Sequence, residues 1–120
     1  MKNSQQLYKE VARLAAEAQR QAEVLLERKQ YRLDVLQSVG WLAYLFHGGR
    51  NKSLDLVHEI ELLKTVIREC REARATADLG LPTKSAKFVS DLIGVKLYRG
   101  LVLAKPADLE ILWSRLMALA

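Results

Sequence analysis

The stretch that decides the fold is residues 4–47, SQQLYKEVARLAAEAQRQAEVLLERKQYRLDVLQSVGWLAYLFH. It contains no proline, and its only glycine is Gly40. Alanine, leucine, glutamate, glutamine and arginine dominate it, and these residues lose little conformational freedom in a helix. The stretch therefore predicts one very long N-terminal helix. Gly48 and Gly49 are expected to end it, because glycine adopts the left-handed conformation that a helix C-terminus requires.

Apolar residues recur along this helix with a period of about 3.6 residues rather than as a strict heptad. This spacing favours packing in a globular bundle, with a coiled coil as the second interpretation. The pattern lapses at Lys29, inside the charged run 27–30, so a continuous helix and a bend there both remain open. The apolar positions are Leu7, Val11, Leu14, Ala18, Ala22, Leu25, Leu33, Leu36 and Ala43.

Three further helical segments are predicted downstream. The first has Asn51 or Ser53 as its N-cap and ends at Gly80. Together with the long helix, these segments predict an all-α fold in which residues 1–120 form one domain, a helical bundle that is expected to be dimeric. The segments are 54–79, 83–104 with a break near Gly94, and 106–119.

Composition restricts the location of the protein. The chain has 120 residues, a net charge of +5 and a single cysteine, Cys70, so no intrachain disulfide can form. Its N-terminus lacks the apolar core of a signal peptide, and its longest apolar run is far shorter than the ~20 residues that span a bilayer. A cytoplasmic protein that does not associate with membranes is expected.

The positive charge is concentrated in residues 81–105, where Asp91 is the only acidic residue. Lysines at the start of a helix are unfavourable beside its positive dipole end, which a bound phosphate or carboxylate would compensate. A solvated basic turn explains the same pattern without a ligand. Nucleic acid is therefore a possible partner, as an alternative to a protein partner. The candidate residues are Lys84, Lys87, Lys96, Arg99 and Lys105.

One short pattern resembles a known enzyme family. Arg50 and Asn51 followed by His58 are similar to the Arg-x(4–6)-His motif of the all-helical HEPN ribonucleases, although seven residues separate Arg50 from His58 here. The resemblance implies a metal-independent ribonuclease whose Arg and His line a cleft at a dimer interface. It covers three residues, and the alternative is that Arg50 and His58 are polar residues at the edge of a loop and a helix.

Trp41, Tyr44 and Phe46 form the densest aromatic cluster of the chain and point in several directions around the predicted helix. Some of them should therefore reach the surface, where large aromatic side chains anchor protein interfaces. Core packing is the alternative, and it is favoured for Trp41.

The predicted first helix is longer than the second, so its N-terminal part should extend beyond the bundle. Leu7, Val11 and Leu14 lie in this overhang, and we expect a second chain to cover them. The sequence thus predicts a homodimer that docks on a larger protein as a regulator or adaptor. No catalytic residue, metal ligand or cofactor is expected, because no such motif has suitable spacing.

Overall fold

A computed structural model describes residues 2–38, 49–94, 101 and 105–120. These residues form an all-α fold, and no strand occurs among them. All positions between the described ranges, including the predicted helix end at 39–47, lie outside this description. The helices are α1 (Lys2–Ser38), α2 (Gly49–Asp78), α3 (Pro82–Gly94) and α4 (Pro106–Leu119).

Helix α1 is continuous through the charged run 27–30, so there is no bend at the lapse in the apolar pattern. The start of α2 differs from the expectation. Gly49 begins α2 rather than ending α1, and Asn51 and Ser53 lie inside the helix instead of capping it. Glycine is well tolerated at a helix start, and nothing between 49 and 54 forces a break, so the helix extends further upstream than predicted.

Helices α1 and α2 pack against each other along most of their length and run antiparallel. Tyr8 and Gly80 line one cleft near one end of the pair. Toward the other end, the Nζ atom of Lys29 lies 2.7 Å from a carboxylate oxygen of Glu59. This ion pair joins α1 and α2, whereas the other three found among the described residues lie within a single helix.

Gly80, two residues after the last residue of α2, caps the helix, and its φ of 68° is in the left-handed region. The Gly80 amide donates to the carbonyl of Ala77 and the Leu81 amide donates to that of Thr76, each at 3.0 Å. These two bonds form a Schellman motif, which satisfies carbonyls at the helix end. Pro82 then begins α3, as suits a residue without an amide proton. The described part of α3 reaches Gly94, and the predicted break near this residue falls at the border with residues 95–100, which lie outside the described residues.

Helices α3 and α4 cover only one end of the α1–α2 pair. They pack against each other and form one apolar core with the N-terminal half of α1 and the C-terminal half of α2. We call this four-helix part the head. Its buried residues are Val11, Leu14, Ala15, Ala18, Ala22, Val66, Ile67, Cys70, Ala73, Ala77, Ala86, Phe88, Val89, Leu92, Leu109, Leu112 and Leu116.

The rest of the α1–α2 pair extends from the head as an antiparallel two-helix stalk, comprising residues 24–38 and 49–63. The molecule measures 63 × 22 × 18 Å, and its radius of gyration is 18.0 Å. A compact chain of this length would have a radius of gyration of about 13–14 Å. The stalk accounts for the difference, because α1 alone is about 55 Å long at 1.5 Å per residue.

The expected overhang at the N-terminus of α1 is absent. Val11 and Leu14 are 0% and 1% exposed, and Leu7 is half-buried against the same core. Their cover comes from this chain, because α2 reaches the N-terminal end of α1 and α4 lies beside Leu7. The prediction that a second chain covers these three residues is therefore wrong. The end of the α1–α2 pair that α3 and α4 do not cover is the opposite one.

Candidate interaction surface

The stalk has a small core of its own. Leu33 and Ile60 are buried between α1 and α2 but do not belong to the core of the head. Two helices bury only the faces that they turn toward each other, so apolar residues elsewhere on the stalk stay in contact with water. Its exposed large apolar residues are Val24, Tyr31, Val35, Leu54, Val57 and Leu62.

Three of these residues are aligned on α1. Val24, Tyr31 and Val35 are 38%, 69% and 46% exposed, and their spacings of seven and four residues place them on one face of the helix. Arg28 occupies the position between Val24 and Tyr31 on that face. We call these four residues the stalk stripe. By helix geometry, the stripe lies away from the α1 face that carries buried Leu33, and Tyr31 and Val35 at its C-terminal end also border a groove between α1 and α2.

The same face of α1 is polar in the head. Residues 18 positions apart are separated by about five full turns, so they lie on one face of a straight helix. The head positions that correspond to the three apolar stripe residues are Gln6, Arg13 and Glu17. Glu17 and Arg13 are paired with neighbours on α1, Arg20 and Glu10 respectively. The outer face of α1 therefore changes from charged in the head to apolar in the stalk, which is unfavourable unless something covers the stripe.

A groove of about 470 Å³ runs between α1 and α2 on one side of the stalk. Half-buried Leu36 and Leu56 contribute its central apolar surface. It is lined only by residues of the two stalk helices, so no described part of α3 or α4 closes it. We call it the stalk groove. Its lining residues are Lys29, Tyr31, Arg32, Val35, Leu36, Asp55, Leu56 and Glu59.

The two rims of the stalk groove carry opposite charges. Lys29 and Arg32 lie on the α1 rim, whereas Asp55 and Glu59 lie on the α2 rim. Lys29 and Glu59 neutralise each other through their ion pair. Arg32 and Asp55 are exposed, and neither forms an ion pair with another described residue. A ligand in the groove would thus meet a cation on one rim and a carboxylate on the other, both available for pairing.

A second exposed apolar region lies on α4, but its residues are not aligned. Ile111 and Trp113 point in nearly opposite directions around the helix, and only Met117, four residues after Trp113, lies on the same face as Trp113. Ile111 also lines a cleft with Leu7, at the contact between α4 and α1. The stalk therefore offers the more continuous surface.

Two of the five predicted anion-binding residues lie next to acidic side chains. Lys84 and Lys87 line a cleft between α2 and α3 together with Glu69, Glu72 and Asp91. Burial raises the pKa of Asp91 above its ordinary value; Lys87 opposes this effect and Glu69 adds to it. Three carboxyl groups on the cleft that these two lysines line disfavour a phosphate at this position.

The other predicted site residues are less informative. Lys105 is exposed directly before α4. The remaining candidates belong to two segments outside the described residues. They are Lys96 and Arg99 of the basic segment and Trp41, Tyr44 and Phe46 of the aromatic cluster.

Arg50, His58 and Cys70, the residues considered for chemistry in the sequence, all lie on α2. Arg50 and His58 belong to the same helix, so Arg50 does not lie in a loop as the sequence suggests. The Cys70 thiol is fully buried, and burial raises its pKa to about 11, which keeps it protonated and unreactive at neutral pH. No group of three His, Cys, Asp or Glu side chains among the described residues is arranged to hold a metal ion.

Comparison with protein-family models, with curated proteins and with solved structures finds no match to this chain. Within the described residues, no helix has the length and apolar character needed to cross a bilayer. Function must therefore be inferred from the molecule itself, and the stalk is its most distinctive described feature.

The sequence contains a signal for the stalk stripe, but the main 3.6-residue apolar repeat of α1 does not reveal it. Val24, Tyr31 and Val35 have helical spacing, but the apolar stripe through Leu25, Leu33 and Leu36 explains the burial of α1 on its own. A helix with a second, shorter apolar face is the pattern that indicates an additional contact. Recognising it requires knowing that α3 and α4 do not reach this part of α1.

Proposed function

We propose that the protein is a non-enzymatic interaction module, which acts as a regulator or adaptor by docking its stalk on a larger protein. One observation carries the proposal: the stalk displays an apolar groove and an apolar stripe that no described part of the chain covers. Surfaces of this kind on a folded domain are typical of protein interaction sites. A cytoplasmic location, expected from the single cysteine, belongs to the same proposal.

The chemistry of the stalk groove specifies the partner. A third helix laid along α1 and α2 would form a three-helix bundle. It would cover the stalk as α3 and α4 cover the other end of the α1–α2 pair. Such a helix needs apolar residues at i, i+3, i+4 and i+7 to pack on Leu36 and Leu56. It also needs an acidic side chain toward Arg32 and a basic one toward Asp55. The partner is therefore an amphipathic helix of a larger protein, with opposite charges on its two polar edges.

Docking of the stalk would change the partner by occupying one of its helices. The groove surface is small, so high affinity would depend on a few well-packed residues rather than on area. A helix bound there becomes unavailable for its other contacts. Regulation by occlusion follows if that helix belongs to an interface or an active-site cover of the partner.

Nucleic acid remains the alternative partner, and HEPN-like ribonuclease activity remains the second alternative. The charged side chains of the described residues disfavour the first, because Lys84 and Lys87 lie beside three carboxyl groups. Binding to phosphates would show a steep salt dependence, since each neutralised phosphate releases counterions. A filter-binding titration with duplex DNA and RNA at several salt concentrations would reveal it.

The decisive experiment compares two charge reversals in affinity capture followed by quantitative mass spectrometry. Asp55→Lys reverses the free carboxylate on the groove, whereas Glu110→Lys makes the same change on an exposed position of α4. The proposal predicts that a protein captured by the wild type is lost with Asp55→Lys and retained with Glu110→Lys. Both residues are exposed, so both variants should fold, which circular dichroism can verify.

The opposite results would contradict the proposal. Equal recovery of every captured protein by both variants would exclude the groove as the docking site. Submicromolar binding of duplex DNA or RNA at physiological salt, lost when Lys84 and Lys87 are changed to Gln, would favour the nucleic-acid alternative.

A further inference from the structure

The stalk stripe has borders of opposite charge. Glu27 and Asp34 lie on one side of it and line a cleft along one flank of the stalk. Arg32 lies on the other side and lines the stalk groove. Glu27 and Arg32 are exposed, and neither pairs with another described residue. The charges that border the stripe are therefore free to meet those of another molecule.

The stripe follows the spacing of a short coiled-coil seam. Its residues at 24, 28, 31 and 35 alternate spacings of four and three, which correspond to positions d, a, d and a of a heptad. Glu27 then occupies a g position and Arg32 the e position five residues later. In parallel coiled coils, charged residues at g and e pair between the two helices and determine partner and orientation.

We propose that the stalk stripe binds a second copy of this chain, with the two α1 helices parallel and Glu27 of each copy facing Arg32 of the other. The inference rests on the proposed function, because it names an occupant for the exposed α1 face of the stalk. Tyr31, Arg32 and Val35 also line the stalk groove, so the second copy and the larger partner compete for these three residues. Two equivalent ion pairs form, as a two-fold axis along the stalks requires.

An antiparallel arrangement is less favourable for the same helices. It would place the acidic border of one stripe against the acidic border of the other, so that Glu27 and Asp34 of one copy would face the same carboxylates of the other. Like charges at such positions repel, whereas the parallel arrangement pairs opposite charges. Arg28 is the one charged residue within the stripe, and in the parallel pair it faces Arg28 of the other copy at an a position. This one like-charged contact lowers stability but fixes the register of the pair, and the two Glu27–Arg32 pairs offset it.

The contact is short, so association should be weak. It involves about three turns of each α1 helix and is smaller than a standard protein interface. The dimer should therefore be populated at high protein concentration and dissociate on dilution. A parallel pair leaves both heads at the same end and covers the α1 rim of each stalk groove, because Tyr31, Arg32 and Val35 belong to both surfaces.

The test is sedimentation equilibrium of the full chain over about 10 µM to about 1 mM, a range suited to weak association. The wild type should show a reversible monomer–dimer equilibrium. Glu27→Lys and Arg32→Glu should each weaken dimerisation about tenfold, because each converts two attractions into two repulsions. The double variant, with both changes, should recover wild-type association. Glu110→Lys on α4 controls for the change in net charge and should leave association unaltered apart from that small effect.

Two results would overturn the inference. If Glu27→Lys strengthens dimerisation, the helices pair antiparallel, since the introduced lysine would then face Asp34 of the other copy. If the wild type stays monomeric throughout, the stripe does not bind a second copy. Asp55 lies on α2 and takes no part in the proposed contact between the two α1 helices, so Asp55→Lys tests the larger partner separately and failure of this inference is distinguishable from failure of the proposed function.

Discussion

Leu14→Ala tests whether the N-terminal half of α1 belongs to the core of a single chain. Leu14 is 1% exposed and packs in the core that joins the four helices of the head. The substitution removes three carbon atoms, which costs about 2.4 kcal/mol at ~0.8 kcal/mol for each buried CH₂ group. A cavity of about 80 Å³ adds up to about 2 kcal/mol if the surroundings do not collapse.

We therefore expect the free energy of unfolding to fall by about 2.5–4 kcal/mol. The assay is urea denaturation followed by circular dichroism, repeated at two protein concentrations well below those that favour dimerisation. Arg13→Ala on the exposed face of α1 is the control and should cost less than about 1 kcal/mol, the worth of a surface ion pair. The midpoint should not depend on protein concentration.

A loss below about 1 kcal/mol for Leu14→Ala would refute this reasoning, since it lies below the range for truncation of a buried leucine. A midpoint that rises with protein concentration would refute it differently. It would show that association of copies already contributes to stability at these low concentrations, as a second chain over Leu14 would, whereas the stalk stripe is expected to dimerise only at higher concentration.

Three further outcomes follow from the structure. Gly80→Ala should lower the free energy of unfolding by about 1 kcal/mol because φ is positive there, whereas Gly94→Ala, with open space around it, should be neutral or slightly stabilising in thermal denaturation. Cys70 should resist a thiol reagent at pH 8 until the chain unfolds. Its pKa of about 11 in the folded chain exceeds the ordinary value of 9.0, so its contribution to stability is present below pH 9 and is lost as the pH rises toward 11. Urea denaturation at several pH values can follow this loss. Glu17, paired with Arg20 and hydrogen-bonded by Gln21, should titrate near pH 2 in an NMR experiment, and Arg20→Gln should raise that pKa toward 4.5.

The sequence predicts the helices well because their signals are local. Helix-forming residues, the apolar period of α1 and the glycine at position 80 each act over one or two turns. The predicted start of α2 is too late because Asn51 and Ser53 are good caps in isolation, yet the helix continues through them. A local preference does not decide a boundary when neighbouring residues also accept the helix.

The arrangement of the helices is harder to predict. The sequence assigns Leu7, Val11 and Leu14 to an intermolecular seam because it does not state where α2 ends relative to α1. Contacts between residues far apart in the chain decide which apolar face is covered. The stalk stripe becomes recognisable only once α3 and α4 are known to pack at the other end of the α1–α2 pair.

The most direct test of the interaction surface is hydroxyl-radical labelling of Tyr31, which is 69% exposed in the isolated chain. Labelling is compared between the purified protein at low micromolar concentration and the protein in lysate of cells that naturally produce it. Trp113 on α4 serves as the internal reference. Labelling of Tyr31 should be several-fold lower in the lysate than in the purified protein, relative to labelling of Trp113. Equal labelling of Tyr31 in both samples would show that nothing covers the stalk stripe and would contradict the account.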